Sequence, residues 1–139
     1  MIAFDADVLS LMLAGHTGFV QRAGIFPAGE QAIPIIVVEE VLRVRLNGIR
    51  RAEAKNSKTS MERAYELLEI TFNALQQLTI LSYSAAADDL YKRWRSQGLR
   101  VGTHDLRIAA ICVASSTLLI TRNRRDFENI PGLSLEIWT

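Results

Sequence analysis

The sequence contains one cysteine, Cys112, and that scarcity excludes several classes at once. A lone thiol in the apolar stretch IAAICVASS has no intrachain disulfide partner and no His or Cys company for a zinc site. It reads as a small buried hydrophobe in a reducing compartment. Long apolar runs are also missing, since none approaches the roughly 20 residues that cross a bilayer. The chain opens on a strand-like MIAFD rather than a basic segment with an apolar signal core, so a cytoplasmic protein with no membrane partner is expected. No repeat, low-complexity tract or interdomain linker interrupts it. Charge of one sign is lacking too. Sixteen basic against fifteen acidic residues leave a net charge of +1, and any affinity for nucleic acid must come from local clustering.

What is present is globular: 49% hydrophobic and 22% charged residues over 139 positions, enough for one core and too little for two. We read residues 1–139 as a single domain. IAFD is a short apolar run ending in an acid, and VLSLML after it has the apolar density of a helix. A short helix is expected within GHTGFVQRAGIFPAGEQ. Ala32 to Val38 (AIPIIVV) is β-branched and nearly uninterrupted, which suits a strand buried on both faces. Glu39 and Glu40 then open a helix whose Val41, Leu42, Leu46 and Ile49 share one face. A second amphipathic helix follows the SKTS cap region, with Met61, Ala64, Leu68, Phe72, Leu75 and Leu78 at helical spacing.

TILSY is the next strand, and SAAADDLYKRWRSQG is a helix stopped by Gly98. Thr103 is placed to cap the helix HDLRIAAICVASS. TLLIT and LSLEIW, the latter after the Pro131-Gly132 turn, complete the strands. Strands alternating with helices give an α/β fold, an open and mainly parallel sheet flanked by helices in three layers.

In such a sheet, ligands bind beyond the carboxyl ends of the strands. Asp5 follows the first strand and Glu39 and Glu40 follow the second, which brings them to one rim. Helix dipoles alone account for single acids in a first helical turn, Asp105 included, at about 0.3–1 kcal/mol each. Several acids in one crevice without matched cations repel one another, and a divalent cation relieves that repulsion. An all-oxygen set suits Mg²⁺ or Mn²⁺ rather than zinc. Ions of this kind serve phosphoryl chemistry.

The strings IAFDADVLS, VVEEVLR, GTHDLRIAA and TLLITRNRRDF, in that order and spacing, resemble the four signature regions of PIN domains. More narrowly, they resemble VapC-type toxins of type II toxin–antitoxin systems, over essentially the whole chain. The resemblance implies a PIN-like fold, Mg²⁺- or Mn²⁺-dependent endoribonuclease activity and neutralisation by a small VapB-type antitoxin. Homodimers are usual in that family. It assigns metal binding to Asp5, Glu40 and Asp105, with Glu39 the neighbour of the ligand. Where many relatives have a fourth acid this chain has Asn123, with Asp126 three residues further on. The catalytic set is then Asp5, Glu40, Asp105 and Asp126, with Asn123, Thr121 and Asp7 in support. Thr121 is a candidate to orient a water through its hydroxyl, and Asp7 to act as an outer acceptor or helix cap. Three firm carboxylates favour one tightly held ion over two. His104 adjoins Asp105 and titrates near neutrality, but family members vary there, so it stays outside the catalytic set.

Arg122, Arg124 and Arg125 flank the fourth corner and are the candidate RNA contacts. Arg43, Arg45, Arg50, Arg51, Lys55 and Lys58 form a second basic segment, read equally well as a solvated helix face. Tyr91 and Trp94 are candidates to stack on bases, though their helical spacing also fits the core. The helices over roughly residues 40 to 78 carry a wide apolar surface, the region with which the resembled toxins grip their antitoxin. Two rivals are weaker on residues. A D-x-D phosphatase and a receiver domain both require a late lysine, and the last one here is Lys92. The alternatives are a non-toxin PIN nuclease and a catalytically weak RNA- or protein-binding module, the latter supported only by Asn123, with the phosphatase behind both. The RNA target is not legible.

Overall fold

The computed structural model describes all 139 residues, Met1–Thr139. Five strands form one sheet: β1 (Ile2–Phe4), β2 (Gln31–Pro34), β3 (Thr79–Leu81), β4 (Leu118–Thr121) and β5 (Leu135–Ile137). Their order is β3-β2-β1-β4-β5, and every neighbouring pair is parallel. Seven helices connect them: α1 (Ala6–Leu13), α2 (Thr17–Ala23), α3 (Ile35–Glu53), α4 (Met61–Leu75), α5 (Ala85–Ser96), α6 (Thr103–Ala114) and α7 (Arg124–Phe127).

Successive strand residues point to opposite faces, and Ile2, Ala3 and Phe4 are all buried. Both faces of the sheet are therefore covered, which is the three-layer arrangement expected of an all-parallel sheet. The core runs from β1, β2 and β4 into α6, whose Leu106 and Ile108 through Cys112 are all buried. Cys112 lies fully inside, where burial pushes its thiol up to about 12 and keeps it protonated. Trp94 is 3% exposed and belongs to this core, so it is no platform for bases. Gly98 ends α5 with φ +78, a left-handed value at which its lack of a Cβ matters, as the sequence predicts.

Three boundaries differ from the sequence reading. The run expected as a strand over 32–38 is split, because β2 stops at Pro34 and α3 begins at Ile35 with no loop between. Pro34 has no N–H for a further ladder bond and serves as the extended N-cap residue. The β-branched Ile36, Val37 and Val41 then reach the core at helical spacing, so packing overrides local strand preference. As a result Glu39 and Glu40 stand in the second turn of α3, beyond the reach of the first-turn dipole argument. Thr103 does not cap α6; Gly102 occupies that position, and the Thr103 hydroxyl instead accepts from Arg95. Leu78 lies beyond the end of α4, which stops at Leu75.

Candidate active site at the carboxylate rim

The sheet order reverses direction between β1 and β4, and the crevice beyond the carboxyl ends of those two strands is where open α/β sheets bind ligands. Asp5 sits there directly after β1. Its backbone N–H donates to Ile120 O of β4 at 2.9 Å, which continues the ladder by one residue. Asp5 is 7% exposed, and both of its oxygens are engaged. Oδ1 accepts from Ala6 N at 2.8 Å, making Asp5 itself the N-cap of α1. Oδ2 accepts from the hydroxyl of fully buried Thr121 at 2.7 Å. Asp7, the expected cap, accepts from its neighbour Val8 N and faces Asp5 only through charge.

Thr121 thus uses its proton to hold Asp5, while its oxygen accepts from Asn123 N at 3.1 Å. With its proton committed to Asp5, the hydroxyl could meet a water only as an acceptor. At the fourth corner Asn123 and Asp126 are joined to each other. Asn123 caps α7 and accepts from Asp126 N at 3.3 Å, while its Nδ2 donates to Asp126 Oδ2 at 2.5 Å. Asn123 holds, and Asp126 presents the charge. Asp105, in the first turn of α6, faces Asp126 closely enough for its protonated carboxyl to donate to it. Glu40 reaches the same rim from α3 and feels the charge of Asp5.

The protonation equilibria report this convergence. Burial first, and then repulsion from Asp5, Asp126 and Glu40, pushes Asp105 up to about 7. Asp5 is raised chiefly by burial, against the hydrogen bonds from Thr121 and Ala6. Burial and then Asp5 raise Glu40, opposed by His104, whose Nδ1 lies 3.2 Å from Glu40 Oε1. No lysine or arginine forms an ion pair with any of the four acids. The rim therefore gathers acids with no lysine or arginine to balance them.

A divalent ion fits this donor set by its chemistry: all oxygen, clustered and without a competing cation. No three acid, His or Cys side chains stand close enough to form a finished cage.

Beside Asn123 and Asp126 opens a cleft of about 570 Å³, with Arg125 and Arg100 at its walls. Arg122 and Arg124 are exposed nearby on the same segment. Sequence reasoning missed Arg100, whose one signal is a basic residue just ahead of the Asp105 helix. The other basic segment is partly engaged in structure. Arg45 donates to buried Thr71 at 2.9 Å, and Arg43 pairs with Glu39 at 2.8 Å.

Comparison with known proteins bears on this arrangement. No protein-family model matches the chain. Over 128 residues, 91% of this chain and 90% of the other, it is 29% identical to Ribonuclease VapC1 of Rickettsia felis. Ribonuclease VapC2 of the same organism is 37% identical over 68 residues, 46% of this chain and 51% of that protein, so the chain spans about half the length of that relative. The crystal structure of VapBC2 from Rickettsia felis, bound to a promoter DNA fragment, superposes with a TM-score of 0.75 at 26% identity over 100% of both chains. The chain is similar to proteins named ribonuclease VapC over most of its length and shares the fold of a VapBC toxin structure. The sheet order and the rim acids are accompanied by a second concave region, which is larger than the cleft and contains none of the four acids.

That region lies between α3 and α4. A cavity of about 740 Å³ is lined by Leu42, Leu46, Tyr65, Leu68 and Phe72, with Glu62, Glu66 and Glu69 along it. It continues past Leu42 and Phe72 into a second of about 420 Å³, reaching Ile35, Val38, Leu78 and Ile80. Leu46, Tyr65 and Phe72 are 48%, 56% and 54% exposed, a large apolar surface to leave in water. No helix of the chain is long and apolar enough to cross a membrane.

Proposed function

We propose that this chain is a metal-dependent endoribonuclease and the toxin component of a type II toxin–antitoxin system. The observation that carries the reading is the unneutralised convergence of Asp5, Glu40, Asp105 and Asp126 at the switch point of the sheet, in a chain related to proteins named ribonuclease VapC. Asp5, Glu40 and Asp105 would hold Mg²⁺ or Mn²⁺, with Asp126 completing the fourth side. A bound divalent ion supplies positive charge to the phosphodiester oxygens and acidity to the attacking water. Thr121 fixes the rotamer of Asp5, and Asn123 fixes that of Asp126, so the charges are aimed before substrate arrives. Arg122, Arg124, Arg125 and Arg100 neutralise the backbone of a bound RNA strand.

A small antitoxin of the VapB type is the partner this reading assigns, and the α3–α4 groove supports it. An amphipathic segment would bury the exposed Leu46, Tyr65 and Phe72 and meet the Glu62, Glu66 and Glu69 edge with basic residues. A homodimer is part of the same proposal.

Cleavage of RNA with Mn²⁺, with Mg²⁺ and with chelator, in parallel with Asp5→Asn and Asp105→Asn, tests it. The expected result is metal-dependent cleavage lost in both variants. Cleavage in chelator, or variants as active as the parent, overturns the mechanism. Hydrolysis of small phosphate esters but not RNA would make the protein a phosphatase instead.

A further inference from the structure

Three side chains lead away from the rim in a line. Arg43 donates to Oε2 of Glu39 at 2.8 Å, and Oε1 of Glu39 lies 3.5 Å from Nε2 of His104. On its other side the same imidazole places Nδ1 3.2 Å from Oε1 of Glu40. Glu39 and Glu40 are consecutive in α3, so their side chains leave the helix about 100° apart. A single ring from the first turn of α6 spans both.

Glu40 is the rim acid that most needs such help. Asp5 and Asp126 have short side chains, pinned by Thr121 and Asn123. Glu40 has one more rotatable bond, and burial together with the charge of Asp5 opposes its presence at the rim. The imidazole nitrogen beside Oε1 restrains the carboxylate there, and Oε2 has no hydrogen-bond partner in the chain. Glu39 and Arg43 are themselves about half exposed, and an exposed pair of this kind adds little to stability. Its consequence is geometric, because it fixes where the Glu39 oxygen meets the ring.

We propose that His104 is a positioning residue that sets the Glu40 carboxylate for metal binding and is itself seated by Glu39 and Arg43. This rests on the ribonuclease reading, in which Glu40 is a ligand. Partners of this kind around a ligand typically change metal affinity 10- to 100-fold when removed.

The test is Mn²⁺ titration of the full chain, followed by the electron paramagnetic resonance of the free ion, for the parent, Asp5→Asn, His104→Ala, His104→Gln and Glu39→Gln. RNA cleavage is measured alongside as separate kcat and KM, with circular dichroism to establish folding. His104→Ala is expected to weaken Mn²⁺ binding about tenfold and to lower kcat with KM for RNA unchanged. His104→Gln retains an N–H donor and recovers most of the loss, and Glu39→Gln shows a smaller loss in the same direction. If a folded His104→Ala binds Mn²⁺ as tightly as a parent that cleaves RNA, the positioning role is overturned and the ribonuclease reading stands. A rise in KM with unchanged Mn²⁺ affinity would place His104 on the RNA and overturns it as well. A parent that needs no metal, or an Asp5→Asn variant that binds Mn²⁺ normally, overturns the ribonuclease reading itself.

Discussion

At the carboxylate rim, four acids arrive from four separate segments, and the contact that orients the deepest of them joins residues 116 apart in sequence. The α3–α4 groove, by contrast, belongs mainly to two consecutive helices. At the rim, Asp5 and Thr121 are buried and joined, while the other acids are half-buried. In the groove, apolar side chains stand half uncovered with no partner from this chain. One region carries the energetic penalty of like charges brought together, the other that of apolar surface left in water. Each is relieved by its opposite, a cation in one case and an apolar cover in the other. A single altered atom should therefore register at the rim, whereas the groove should register only changes that spoil a covering surface.

The largest expected effect breaks the rim. Asp5→Asn keeps an oxygen for Ala6 N but removes the charge at the switch point, and RNA cleavage should fall by at least about 100-fold in a gel assay with Mn²⁺. Retention of even a tenth of the activity would remove Asp5 from the ligand set. The next breaks the groove. Phe72→Glu should weaken binding of the cognate antitoxin by about 30-fold or more in calorimetry, the scale of a lost interface anchor. Its melting temperature should stay within about 3 °C of the parent, since Phe72 is largely exposed.

A third prediction sharpens the contrast through pH. The carboxyl of Asp105 is raised in the folded chain to about 7 from the ordinary 3.8, so between those values the folded state binds more protons than the unfolded one. Its ionisation costs no stability below about pH 4, and the penalty grows until the pH has passed about 7. Without metal, the parent should melt lower at pH 8 than Asp105→Asn does by about 2–4 °C, with the gap closing at pH 4. Saturating Mn²⁺ should reverse the order at pH 8, because the ion then favours the ionised carboxylate. A gap that is independent of pH would detach Asp105 from the cluster. The smallest effect belongs to the cleft wall: Arg125→Ala should raise KM for RNA a few-fold, leave kcat in place and flatten the salt dependence of binding.

Legibility in the sequence followed the same division. The place of Asp5 at the end of its strand was readable from an apolar run ending in an acid, whereas Asp105 reads locally as a first-turn helix acid and was joined to Asp5 only through the resemblance. The parallel sheet was readable from the alternation of such segments. The boundary at Pro34 was not, because Ile35 to Val38 satisfies strand and helix equally until the core decides. The actual duties of Thr121 and Asn123 were also hidden. Whether a hydroxyl faces a water or a carboxylate depends on where β1 lies beside β4, which no window of sequence contains. The bridge from Glu39 through His104 to Glu40 depends in turn on how α3 is rotated against α6. Arg100 escaped notice because a lone arginine between apolar neighbours carries no pattern.

The abrupt passage from β2 into α3 has a mechanical consequence. With no loop between Pro34 and Ile35, the angular phase of the whole helix is keyed to the last residue of the strand. One residue added or removed there would turn everything downstream by about 100° about the helix axis. Glu40 would swing off the rim, and Leu42 and Leu46 would swing out of the groove. Two surfaces that differ in chemistry and in the ligand they await are thus cut on one shaft, and a length change at that joint would put both out of register together.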